Sequence, residues 1–309
     1  MDTLAGLLIR PHRSSYRHKD LGPALFPVQG YSVRRTDLTL TNARGLRLAC
    51  SWFRPTVEGQ LPCVVYCHGN SGCRLDCEGL LNPLLTRGIT VFTFDFSGSG
   101  LSEGDFVSLG HFEQQDIGTV LCFLKRSGSG PIALWGRSMG AAAALLFASQ
   151  SKAVTALVVD SPFASLHQVS EELVKSYRLL PTVLGLHLLQ AVRSHLQQLA
   201  GFDLLALSPL QAAPSCNCPV LFFHSRDDKL INYSHSEALF AAYPHPDKTL
   251  LPLLGGHNSP RAPDVYLEGA EFLRRRLCLR CLPRELAETP RAKPPSFAAE
   301  LRNRLKHVC

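Results

Sequence analysis

The sequence lacks any apolar stretch long enough to cross a bilayer. Its best candidate, Leu179 to Val192, is broken by Pro181, Gly185, His187 and Gln190, whereas a spanning helix needs about 20 mostly apolar residues. A secretory leader is not expected either, because Met1 to Arg10 carry an acidic Asp2 and a short apolar run without a positive start. Asp2 stands where N-myristoylation requires glycine, and a terminal Cys309 leaves no prenylation tail. Neither the dinucleotide fingerprint nor a lysine-bearing phosphate loop is present; the run Phe96-Ser97-Gly98-Ser99-Gly100 matches neither pattern. Cys73 with Cys77, and Cys278 with Cys281, are spaced like metal-binding pairs, but neither has a local complement that would complete four ligands. The expectation is a protein without a membrane-spanning helix, a metal or an organic cofactor.

What is present fits a compact fold. The chain has 309 residues, 45% of them hydrophobic, enough to bury a sizeable core in one domain or in one domain with an insertion. Its formal charge of +7 is concentrated near the ends. Arg10, Arg13, Arg17, His18 and Lys19 lie early; Arg274 to Arg276, Arg280, Arg284, Arg291, Lys293, Arg302, Arg304 and Lys306 lie late. A solvated basic face is the plainest reading, attraction to an anionic membrane surface is the second, and nucleic-acid binding is not expected. Eleven cysteines form an odd set, and several sit inside apolar runs, as Cys63, Cys67 and Cys122 do, where thiols act as small core hydrophobes. A reducing, cytoplasmic setting follows as the expectation.

Along the chain, strand and helix patterns alternate. Leu38 to Asn42 and Leu46 to Phe53 read as a hairpin around Ala43, Arg44 and Gly45. Cys63 to Cys67 and Ile89 to Phe94 are nearly continuous apolar or β-branched runs, as in a parallel sheet covered on both faces. Glu78 to Arg87 between them has helical spacing, with Pro83 tolerable if the helix begins late. Helices over Phe112 to Lys125, Ala141 to Ser149, Ser234 to Tyr243 and Val265 to Leu273 alternate with strands at Ile132 to Trp135, Ala156 to Val159, Pro219 to Phe223 and Lys248 to Leu251. This rhythm specifies an α/β sheet. Residues 165–214 depart from it with apolar helical patches and read as a helical cap over the active edge. The expected divisions are an N-terminal extension (1–37), a core in two parts (38–164 and 215–282) around that cap, and a basic tail (283–309) ending in a short amphipathic helix.

The chemical signal is Ile132-Ala-Leu-Trp-Gly136-Arg137-Ser138-Met139-Gly140, followed by four alanines. A serine between glycines where a strand turns abruptly into a helix projects its hydroxyl from the strand end. The helix dipole and the Met139 amide then face charge developing on a substrate oxygen. His68-Gly69-Asn70-Ser71-Gly72 follows the strand ending at Cys67, so that the Asn70 amide can supply a second donor, while the His68 ring reads as structural. Serine needs a base, and His257 in Leu253-Leu-Gly-Gly-His257-Asn258 follows the last strand in a flexible loop. His224, at a strand end, reads as a packing or loop-orienting residue. The acid that orients the base is Asp228, with adjacent Asp227 its local rival; Asp160 reads as a turn or cap residue, and Asp95 as the anchor of the glycine-rich loop after it.

Through these residues the sequence resembles the α/β-hydrolase superfamily, especially its serine peptidase-like branch, near the membrane-associated depalmitoylases and intracellular acyl-protein thioesterases. The likeness runs from about Leu38 to Leu273. It implies a mostly parallel, eight-stranded sheet and cofactor-free hydrolysis through an acyl-enzyme, with an acyl ester, acyl thioester or peptide as the substrate. Depalmitoylases anchor through an N-terminal cysteine cluster, whereas this chain has no cysteine before Cys50. A soluble or peripherally associated serine esterase or thioesterase is therefore expected, with a peptidase and a non-catalytic binding protein of the same fold as alternatives.

Overall fold

A computed structural model describes residues 13–57, 59–176 and 206–277, with a few positions between 193 and 203. Most of the interior of the expected cap and the whole 283–309 tail lie outside the described residues. Nine strands form one sheet: β1 (Leu25–Val28), β2 (Tyr31–Thr41), β3 (Arg47–Pro55), β4 (Cys63–Cys67), β5 (Thr90–Phe94), β6 (Ile132–Arg137), β7 (Ala156–Asp160), β8 (Val220–Ser225) and β9 (Lys248–Leu253). Their spatial order is β1-β2-β3-β5-β4-β6-β7-β8-β9. The strands from β5 to β9 in that order pair in parallel, and β1, β2 and β3 add an antiparallel edge.

The helices are α1 (Glu78–Leu85), α2 (Glu113–Arg126), α3 (Met139–Gln150), α4 (Leu166–Ser176), α5 (Pro209–Ala212), α6 (Tyr233–Ala242) and α7 (Pro263–Arg276). Alternate strand residues feed two separate cores, one on each face of the sheet. Cys63, Val65, Phe92, Leu134, Val159 and Phe222 point toward α2 and α3. Val64, Tyr66, Val91, Trp135, Val158 and Phe223 point toward α1 and α7. Burial on both sides explains why the parallel strands read as continuous apolar runs rather than alternating ones. The thiols of Cys50, Cys63, Cys67, Cys73, Cys77, Cys216 and Cys218 are free and buried, and burial pushes the Cys63 thiol up to about 12, which leaves these cysteines inert packing groups.

Two expectations change. Among the described residues the sheet has nine strands where eight were expected, and its first strand begins at Leu25, inside the segment expected to be an extension. Pro27 and the pair Arg34-Arg35 hid this edge by interrupting any apolar run. The edge forms because Phe26, Val28 and Val33 are buried, while Arg35 pairs with Asp37 and donates to the carbonyls of Leu21, Gly22 and Pro23. The second change concerns α1, which starts at Glu78 and runs through Pro83 instead of beginning late.

Candidate active site

The parallel strands deliver their loops to one edge, the usual position of a site in such a sheet. Cys67 of β4 lies opposite Gly136 of β6, so the loops that follow leave the sheet side by side. A Cβ on Gly140 would lie 2.0 Å from the Cys67 carbonyl oxygen, and one on Gly136 would lie 2.4 Å from the Gly140 carbonyl oxygen. Only glycine permits this approach at the two positions. Between them Ser138 adopts φ 52° and ψ −115°, a region costly for a residue with a Cβ. Its carbonyl accepts the N–H groups of Ala141 and Ala142, each at 3.0 Å, and its own N–H donates to the Asp160 carbonyl at 2.8 Å. The strained turn is thus held on both sides, and the half-buried side chain is left to face the loops from β8 and β9.

His257 Nε2 lies 2.9 Å from Ser138 Oγ, and its Nδ1 lies 2.6 Å from Asp228 Oδ2. A carboxylate can only accept, so Nδ1 carries the proton and Nε2 is the acceptor for the serine hydroxyl. Asp228 Oδ1 accepts the N–H groups of Leu230 and Ile231, each at 2.9 Å. On its other side stands His224, fully buried. The His224 Nε2–H is directed at the Ile231 carbonyl at 2.9 Å and lies 3.4 Å from Asp228 Oδ2, while Nδ1 pairs with Ser236 Oγ at 2.7 Å. Burial opposes the charge on Asp228, but hydrogen bonds from His224, His257 and the Ile231 N–H outweigh it and hold the carboxyl well below the usual carboxylate range. Asp227, by contrast, is exposed.

On the opposite flank, a Cβ on Gly69 would lie 3.8 Å from Ser138 Cβ, so the loop containing Asn70 borders the serine. Among the described residues, neither the Asn70 nor the Met139 N–H has a protein acceptor, as an oxyanion pocket requires of its donors. Asn70 Oδ1 is also buried without a partner. His68 Nε2 accepts the Phe96 N–H at 3.0 Å and Nδ1 donates to the Gly69 carbonyl at 2.7 Å, which ties the β4 and β5 loops together. Asp95 anchors its glycine-rich loop by accepting the Leu101 N–H at 2.8 Å.

Asp160 is directed away from His257. Its carboxylate forms a paired contact with Arg261, 2.8 Å from each of Nε and Nη2. Two arginines that motif reading passed over sit at this edge. Arg137 Nη2 donates to the carbonyls of His257 at 3.0 Å and Ser259 at 3.1 Å, and Arg261 reaches the same turn. The only sequence signals were an arginine beside the serine and another four residues beyond the histidine, neither of which has a spacing rule attached.

With sheet order, elbow and edge loops in this arrangement, the chain has the fold of the α/β-hydrolases. Residues 60–200 match the family described as serine aminopeptidase, S33. The esterase Pf2001 of Pyrococcus furiosus superposes with a TM-score of 0.64 at 21% identity, over 85% of this chain and 95% of that one. Among curated relatives, the uncharacterized protein YqkD of Bacillus subtilis is 32% identical over 182 residues, 57% of this chain and 58% of its own. Lysophosphatidylserine lipase ABHD12 of Rattus norvegicus is 26% identical over 208 residues, 61% of this chain and 47% of its own. The chain therefore spans about half to three-fifths of the length of these two relatives.

Proposed function

We propose that this chain hydrolyses a carboxylic ester or thioester through an acyl-enzyme, with Ser138 as nucleophile, His257 as general base and Asp228 as the orienting acid. The observation that carries the reading is the continuous contact from Ser138 Oγ through both nitrogens of His257 to Asp228 Oδ2. His257 Nε2 takes the hydroxyl proton as Oγ attacks the acyl carbonyl. The Asn70 and Met139 N–H groups receive the oxyanion, and Asp228 stabilises the imidazolium. His257 then protonates the leaving alcohol or thiol, after which it activates the water that releases the acid and regenerates Ser138.

Esterase and lipase neighbours support the ester class. A peptide or amino-acyl amide is the second reading, favoured by the description of the family matched over residues 60–200. A purely binding role would suit a sealed serine, whereas the Ser138 side chain is half-buried with its hydroxyl on the imidazole. Among the described residues no helix is long and apolar enough to cross a membrane. We place the enzyme in the cytoplasm, with the basic tail as its contact to an anionic membrane surface.

The test is turnover of activated esters, thioesters and amino-acyl amides of graded chain length by the wild-type chain and by Ser138→Ala. The substitution should reduce turnover by at least about 10³-fold and abolish labelling by a serine-reactive phosphonate. Undiminished labelling at another serine would overturn the assignment, and preference for the amides would move the substrate class to peptides.

A further inference from the structure

A histidine on a loop at the sheet edge must be held against rotation, and the loop around His257 has little core beneath it. Leu254 is 88% exposed and Gly255 has φ +93°. The turn from Gly256 to Ser259 closes on itself through the Ser259 N–H to the Gly256 carbonyl at 3.2 Å and the Gly256 N–H to Ser259 Oγ at 2.8 Å. Those bonds define the turn's shape, and its orientation toward Ser138 needs contacts from outside the turn.

We propose that Arg261, fixed by Asp160, is a positioning residue that sets the orientation of the His257 loop relative to the nucleophile; this deepens the reading of Ser138 and His257 as the reacting pair and rests on it. Arg261 is 8% exposed. Nε and Nη2 pair with the two Asp160 oxygens at 2.8 Å, and Nη2 also donates to Ser161 Oγ at 3.0 Å. The remaining donor, Nη1, points at the Gly256 and Ser259 carbonyls at 3.4 Å, with Nη2 3.5 Å from the His257 carbonyl. Individually these last contacts are long. Their consequence comes from the fixed fork of the guanidinium, which has no freedom once both carboxylate oxygens are engaged.

The other end of the chain of contacts is the nucleophile itself. Asp160 ends β7 opposite Arg137 of β6, and its carbonyl accepts the Ser138 N–H at 2.8 Å. One residue thus holds the backbone of the nucleophile through its main chain and, through Arg261, the backbone of the base through its side chain. Arg137 closes the circuit from β6 by donating to the His257 and Ser259 carbonyls. Ser225 Oγ of β8 also donates to the Gly255 carbonyl at the start of the loop; beyond that point two guanidiniums hold its carbonyls, and the buried carboxylate of Asp160 compensates the deeper one. A displacement of about 1 Å between reacting groups costs about 10²-fold in rate, so a role in orientation should appear in kcat with little effect on substrate binding.

The test uses the full chain and a small activated ester. Arg261→Lys preserves the charge opposite Asp160 but lacks the fork, and Asp160→Asn with Arg261→Met together remove both buried charges, avoiding the lone charge a single deletion would leave. Both variants should lower kcat by about 10- to 100-fold while KM changes less than about threefold, and phosphonate labelling of Ser138 should slow in parallel. The low-field proton resonance of the His257–Asp228 hydrogen bond should shift or broaden in both. Ser138→Ala measured alongside keeps the two readings apart: residual turnover there would defeat the nucleophile assignment whatever Arg261 does. If Ser138→Ala is inactive while Arg261→Lys keeps wild-type kcat and an unshifted resonance, the positioning role is refuted. A kcat loss that matches only the fraction of unfolded protein would refute it as well.

Discussion

Two adjacent carboxylates follow β8, and the backbone gives them different fates. Asp228 turns into the sheet edge, where it accepts two N–H groups from its own loop and the Nδ1–H of His257; Asp227 faces solvent. Asp228→Asn should therefore cut acylation of an activated ester by about 10³- to 10⁴-fold, because the amide cannot stabilise imidazolium and favours the wrong tautomer. Asp227→Asn should stay within about twofold, as expected of an exposed side chain away from the reacting groups. Pre-steady-state kinetics on folded variants distinguishes them, and the reverse ranking would reassign the acid. The carboxyl of Asp228 is held below its ordinary range, so its contribution to stability is present above the unfolded carboxyl value near 4 and is lost only as pH falls through the lower, folded value. Loss of activity on mild acidification then reports another group in the site.

At the scale of elements, one histidine of α6 joins the loop after β7 to α4 at the junction between the sheet and the expected cap. His235 is fully buried; its Nδ1 accepts the Ala164 N–H at 3.1 Å, and its Nε2 lies 3.2 Å from Glu172 Oε2 on α4. Burial lowers its pKa, and Glu172 opposes that shift only in part. The unfolded chain therefore binds this proton more readily, so the stability the neutral ring confers is present above the ordinary imidazole value and is lost as pH falls toward the lower, folded one. The thermal midpoint should drop between pH about 7.5 and about 5.5. His235→Asn should flatten that dependence while lowering stability at the higher pH by about 1–3 kcal/mol. An unchanged pH dependence in the variant would assign the effect elsewhere. The elements themselves were legible where apolar patterning is strong: α2, α3, α6 and α7 and strands β4 to β9 fall close to their expected positions. The edge at β1 was not, because exposed Leu25 and Pro27 on β1 and the pair Arg34-Arg35 on β2 break the apolar pattern, and the burial of Arg35 depends on carbonyls of the segment before β1.

Over the whole molecule, the segment before the first strand is joined to the loop after β5. Arg13 donates to the carbonyls of Ser99, Gly100, Ser102 and Gly104. The Tyr16 hydroxyl donates to Asp95 and accepts from Arg74 Nε, each at 2.5 Å, and Ser14 Oγ donates to the Ser71 carbonyl of the oxyanion loop at 3.0 Å. Arg13, Ser14 and Tyr16 thus brace the loops that border the candidate site. Different behaviour is expected of the 283–309 tail, which follows the last residue of the proposed triad and of the sheet. Its deletion should leave turnover of a small soluble ester within about twofold while weakening adsorption to anionic vesicles in a salt-dependent way, since long-range attraction needs no contact with the reacting carbonyl. Collapse of turnover with the fold intact would place the tail in the support of the site instead.

By itself the sequence determined the α/β rhythm, the glycine-flanked elbow at Ser138 and the chain order of serine, carboxylate and histidine. Each is local: a run of apolar residues, two absent side chains, a loop after a strand. Only the tertiary structure decided that Asp228 and not Asp160 meets His257, that His224 stands behind the carboxylate, and that Arg137 and Arg261 reach the carbonyls of the His257 loop. Those outcomes depend on strand order and register, which place residues about 100 positions apart within hydrogen-bond distance, and no periodicity along the chain encodes which of two buried charges will find the other.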